Sequence, residues 1–122
     1  MQYSQDSWYQ NPKWRALRAK ILRRDCYMDQ ELRRFGLARE AEVVHHIFPR
    51  KEFPEYEYEP WNLISLSKAT HKEMHDSEND DLTEKGRDLL RRTCLRMGIK
   101  IPEKYQRMKQ KGGKRLRDKY YY

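Results

Sequence analysis

No apolar run in this chain approaches the ~18–20 residues of a membrane-spanning helix, and the N-terminus shows no apolar stretch of a signal peptide. Cysteine is nearly absent. Cys26 and Cys94 lie far apart and form no CxxC pair, which argues against a disulfide framework. Hydrophobic residues make up only 37% of the chain, slightly less than the 38% that are charged, so the core must be modest. These absences describe a soluble cytoplasmic protein with reduced thiols, and 122 residues is one domain by length. Histidine is scarce too, and unevenly placed. The four histidines, His45, His46, His71 and His75, all fall within 31 residues.

Positive charge is present in excess and segregated. The net charge is +8, yet residues 13–24 carry six positive charges and no negative ones, and residues 104–122 carry eight against Asp118 alone. A slightly acidic middle is flanked by two basic arms. Such segregation suits a polyanionic partner, with nucleic acid the leading candidate; solvated helix faces are the plainer explanation.

The chain reads as a sequence of short elements. "NPKWRALRAKILRRD" places Asn11 as N-cap and Pro12 at the first helical position, with Trp14, Leu17, Ile21 and Leu22 as an apolar stripe. Residues 25–41 are irregular, broken at Gly36. "EVVHHI" and "NLISL" are strands by their β-branched content, separated by a polar loop bracketed by Pro49, Pro54 and Pro60. "SKATHKEMH" is a helix with Ser67 as N-cap. "LTEKGRDLLRRTCLRMG" is a longer one, with Leu82, Leu89, Leu90, Cys94 and Met97 inward and Gly98 closing it. Residues 1–103 form the domain, and 104–122 a basic, mobile tail.

On a helix, positions i and i+4 share a face, so His71 and His75 present their imidazoles to one point, a metal-chelating arrangement. A third ligand can come from "VVHHI". Adjacent strand residues point to opposite faces, so one of His45 and His46 joins the helix pair. The other is left beside the metal, near neutral pKa, in the position of a general base. A structural zinc would account for three histidines but not the fourth.

"EVVHHI", "NLISL" and "HKEMH" in this order resemble the His-Asn-His (HNH) nuclease motif. With "WYQNPKWRALRAKILRRDCY", "EPWNLISLSKATHKEMH" and "LTEKGRDLL", roughly residues 8–92 resemble the small stand-alone HNH endonucleases of bacteriophages. The resemblance implies an α+β fold: a ββα-metal core with a short antiparallel hairpin and surrounding helices. It implies His45 as a metal ligand, His46 as the general base and Asn62 as the residue that orients the base across the loop. His71 matches the helix histidine of the motif, and His75 the second helix ligand of bacterial toxin DNases. Many relatives also carry two CxxC knuckles around a structural zinc. The matching positions here are Asp29, Leu32, Ser67 and Thr70, so no cysteine-bound zinc is expected. Apolar contacts from Tyr27, Leu32, Phe35 and Leu37 are expected to hold residues 25–41 instead.

The implied function is metal-dependent endonucleolytic hydrolysis of DNA by a phage-encoded enzyme acting in the host cytoplasm. The implied substrate is double-stranded DNA, nicked or cut with loose sequence preference. One divalent ion is needed, and Zn, Mn, Mg, Ni and Co are not distinguished by the sequence. Arg15, Arg18, Arg50, Lys114, Arg115 and Arg117 are candidate phosphate contacts. The alternative is a non-catalytic DNA-binding or DNA-packaging accessory protein with a structural metal site, partnered with other DNA-processing proteins.

Overall fold

Asn11 stops one segment and starts the next. Its backbone is extended and its side chain accepts the Trp14 N–H at 2.7 Å, so that Pro12, which has no N–H to satisfy, opens helix α1 (Pro12–Arg24). A 3-10 helix, Tyr3–Gln10, precedes it, and helix α2 (Gln30–Arg33), strand β1 (Val43–His46), strand β2 (Leu63–Leu66), helix α3 (Lys68–Met74) and helix α4 (Glu84–Met97) follow. The computed structural model describes residues 3–76, 78 and 81–108, with side chains from residue 7 onward. The expected basic tail falls largely on 109–122, outside the described residues. The chain divides into two compact units, 1–71 and 72–122.

In the first unit β1 and β2 form an antiparallel pair, with His45 opposite Ile64 and His46 opposite Leu63. Helix α1 lays Trp14 and Ile21 against Val44 and Leu63, and Trp8, Leu17, Leu22 and Tyr58 pack around them. A two-stranded ribbon needs such cover to be stable in water. Its outer edge is occupied by side chains. Asp25 accepts the Ser65 N–H at 3.0 Å and Asp29 the Ser67 N–H at 2.8 Å. Arg24 bonds the carbonyls of Pro60 and Leu63 at 2.9 and 2.7 Å and pairs with Asp25. Backbone groups that a third strand would satisfy are thus met by three side chains from the end of α1 and the turn after it.

Residues 25–41 are held differently from expectation. Tyr27, Phe35 and Leu37 are exposed, at 51%, 70% and 55%, and Leu32 is half-buried. The anchor is polar. Asp29, fully buried, accepts the Leu32 N–H at 2.9 Å through one oxygen and the Ser67 N–H through the other. Burial alone would raise its pKa, but these two bonds, with the Thr70 and Ser67 hydroxyls, hold it below the usual 3.8. Ser67 and Thr70 are themselves linked at 3.2 Å. The four positions that match the knuckle of the resembling nucleases therefore converge as one hydrogen-bonded joint.

In the second unit Thr83 caps α4 and binds the end of α3. Its N–H donates to the Met74 carbonyl at 2.9 Å, its hydroxyl donates to the Glu73 carbonyl at 2.6 Å, and its oxygen accepts the Gly86 N–H at 3.2 Å. Gly86 is glycine because a Cβ there would lie 2.5 Å from the Met74 oxygen. Leu82, Leu89, Leu90 and Cys94 are buried as expected, but Met97 is 42% exposed, since it falls in the last turn before the left-handed Gly98. Tyr105 is fully buried, under the Arg87 guanidinium at 5.1 Å, and its carbonyl accepts from Arg91 at 2.9 Å.

Candidate metal centre

The two adjacent histidines do face opposite ways. His45 is buried, with its ring 5.2 Å from that of His71. Helix α3 starts where Ser67 accepts the Thr70 N–H at 3.2 Å, so the expected N-cap is present. The helix ends at Met74, one residue short of expectation, and His75 forms an isolated antiparallel bridge with Leu82. The four-residue spacing still keeps the two histidines together. His45, His71 and His75 each offer a ring nitrogen, and these atoms all lie within 4.8 Å of one another. His45 is buried and the other two are half-buried. Three imidazoles fit a divalent transition metal, and a three-ligand set leaves coordination positions for water or substrate, as catalytic rather than closed structural sites do.

His46 turns to the α1 side. Its ring stacks on Trp14 at 5.0 Å, with Trp8 at 5.6 Å and Tyr9 at 6.4 Å. Its Nε2 lies 3.0 Å from the Glu57 carbonyl. A carbonyl can only accept, so Nε2 carries the proton and the lone pair is on Nδ1. Burial pushes its pKa down to about 4 rather than leaving it near neutrality; the Glu57 bond opposes the fall, and Arg50 and His71 add to it.

Asn62 is fully buried and laces the loop between the strands. Its oxygen accepts the Phe48 N–H at 2.7 Å, and its amide donates to the carbonyls of Phe48 at 3.2 Å and Tyr56 at 3.1 Å. It does so one residue from Glu57, whose carbonyl fixes the His46 ring. The loop's floor is an aromatic cluster of Phe48, Phe53, Tyr56 and Trp61. Sequence reasoning missed this cluster and the Trp8–Trp14–Tyr58 group around His46; the aromatic density of "FPEYEYEPW" was the available signal.

The other candidate residues are dispersed. Arg15 is exposed on α1. Arg18 bonds the Glu42 carbonyl at 2.8 Å. Arg50 lies over the rings of Trp8 and Tyr9 at 4.4 and 5.0 Å. Lys114, Arg115 and Arg117 lie outside the described residues. Near the histidines in sequence, Glu42 accepts the Lys68 N–H at 2.9 Å, and Glu73 pairs with Lys85.

No family model matches the chain, and no curated protein matches it. Among solved structures, it is similar to the HNH endonuclease of the deep-sea thermophilic bacteriophage GVE2, crystallised with a manganese ion. The identity is 26%, the TM-score 0.54, and the match covers 57% of this chain and 75% of that one. The α+β architecture with a two-stranded antiparallel hairpin is the ββα-metal fold, and the chain resembles a phage HNH endonuclease in structure as in motif. The likeness supports a nuclease family. Among the described residues no helix is long and apolar enough to cross a membrane.

Proposed function

We propose that this protein is a metal-dependent endonuclease that hydrolyses phosphodiester bonds in DNA. The observation that carries the reading is the convergence of His45 from a strand, His71 from a helix and His75 from the residue just after it, with His46 next to His45 in the chain and on the opposite face. The similar phage protein is an HNH endonuclease and was solved with manganese, which agrees with one divalent site here.

His45, His71 and His75 hold the ion. When bound, it supplies a Lewis acid for the scissile phosphate and the departing 3′ oxygen. His46 accepts a proton from the attacking water at Nδ1, since Nε2 is committed to Glu57. Glu57 holds the tautomer and the ring plane. Asn62 acts through the loop: by tying Phe48 to Tyr56 it keeps the Glu57 carbonyl in place. Arg15 and the basic residues of the tail bring phosphates to the site by charge.

The test is a supercoiled-plasmid assay across a panel of divalent metals. Nicked or linear product is expected with at least one metal, and chelation should stop it. A chain that binds metal and DNA but leaves plasmid intact under every metal would be a binding protein, not a nuclease.

A further inference from the structure

Residues 33–39, "RRFGLAR", form a turn whose composition conflicts with its position. Phe35 and Leu37, at its tip, are 70% and 55% exposed. Arg33, Arg34 and Arg39 surround them, all exposed, with no acidic residue between. Gly36, at φ +75°, forms the tip, and a Cβ there would meet nothing within 4 Å. The turn is nonetheless built firmly. The Leu37 N–H donates to the Leu32 carbonyl at 3.1 Å and the Gly36 N–H to Arg33 at 2.9 Å. At its base the Asp29 N–H donates to the Arg39 carbonyl at 2.8 Å, Met28 bridges Glu40, and the Asp29 side chain is locked by Leu32 and Ser67.

A rigid apolar tip beside Arg33 and Arg39, with Arg34 already paired to Glu31 at 3.2 Å, is a surface that attracts a polyanion. It is also small. Phe35 offers at most roughly 200 Å², well short of the ~800 Å² per partner of a standard protein interface. Two apolar side chains fit the opening between two stacked base pairs, and cations beside them fit the flanking phosphates. We propose that this turn is a wedge for duplex DNA: Phe35 and Leu37 enter the minor groove at a base step while Arg33, Arg34 and Arg39 contact the phosphates on either side. The inference rests on the reading of the chain as a DNA-directed nuclease and adds a second point of substrate engagement, on the segment between α1 and β1.

The experiment uses the full chain in chelator, so that no DNA is cut. The probes are fluorescent duplexes with 2-aminopurine beside a TA step, the step most easily unstacked. Wild-type protein should raise the 2-aminopurine signal. The double variant Phe35→Ser/Leu37→Ser should lose that rise and bind about 10-fold more weakly, with an unchanged salt dependence. Arg33→Ala/Arg39→Ala should weaken binding and flatten the salt dependence, because phosphate contacts are lost. Both pairs are exposed, so circular dichroism should match wild type. If Phe35→Ser/Leu37→Ser binds with wild-type affinity and an unchanged 2-aminopurine signal while wild type still nicks plasmid, the wedge falls and the nuclease reading stands. If that variant instead breaks up a dimer with DNA binding intact, the tip serves self-association and the wedge is overturned. If wild type neither binds duplex nor nicks plasmid, the nuclease reading falls and the wedge with it.

Discussion

Replacing Asp29 with alanine removes the joint between the α1–β1 segment and the start of α3. Two backbone N–H groups, from Leu32 and Ser67, lose a charged acceptor in a fully buried place. Hydrogen bonds to charged groups contribute about 1.5–3 kcal/mol each, so the loss of two is roughly 3–6 kcal/mol out of a total stability on the order of 5–15 kcal/mol. With a urea slope of about 1.5 kcal/mol per molar, the unfolding midpoint should fall by roughly 2–4 M. Asp29→Asn keeps the shape but has one acceptor oxygen. Its NH₂ group must then face a backbone donor, and the cost is about 2–3 kcal/mol. The pH dependence has a definite sign. The Asp29 pKa is lowered on folding, so its contribution is complete above the unfolded value near 3.8 and is lost as pH falls through the lower folded value. Wild type and Asp29→Asn should therefore converge in stability only in strong acid. A urea midpoint for Asp29→Ala within experimental error of wild type at neutral pH would refute the assignment of this joint.

His45→Ala and His46→Ala should fail in different ways. Calorimetry should show weakened metal binding for His45→Ala and near-normal binding for His46→Ala, while cleavage by His46→Ala falls by roughly 10²–10⁴-fold; the reverse pattern would exchange their roles. Gly86→Ala, which in an ordinary helix interior would stabilise by up to ~1 kcal/mol, should here lower the melting temperature, because the new Cβ meets the Met74 oxygen at 2.5 Å; a higher melting temperature would contradict that packing. Ending the chain after Met108 keeps buried Tyr105 and removes six positive charges against Asp118. DNA affinity and its salt dependence should both decrease, while the rate at saturating DNA is unchanged.

What could be read from the chain was what depends on near neighbours. The Asn11–Pro12 start of α1, the two strands and the Ser67 cap are each written within a few residues. The His71–His75 spacing survived even though the helix stops at Met74. What could not be read depends on partners far apart in sequence. Asp25 and Asp29 meet Ser65 and Ser67 across about 40 positions, and no periodicity announces such pairs. Once those carboxylates anchor the segment, Tyr27, Phe35 and Leu37 are not needed inside, so hydrophobicity alone misplaced them. The low pKa of His46 was hidden for the same reason: it comes from Trp8 and Trp14, which belong to other elements.

The joint of Asp29, Leu32, Ser67 and Thr70 contains no sulfur to oxidise, and both oxygens of its carboxylate accept backbone N–H groups. A zinc knuckle is completed only when zinc reaches the new chain, and it comes apart under oxidants. A carboxylate bonded to two backbone amides needs neither a metal supply nor a particular redox state to close. This joint therefore does not depend on an ion, whatever the histidine group binds. If the proposed metal site is right, scarcity of the ion would leave this joint intact.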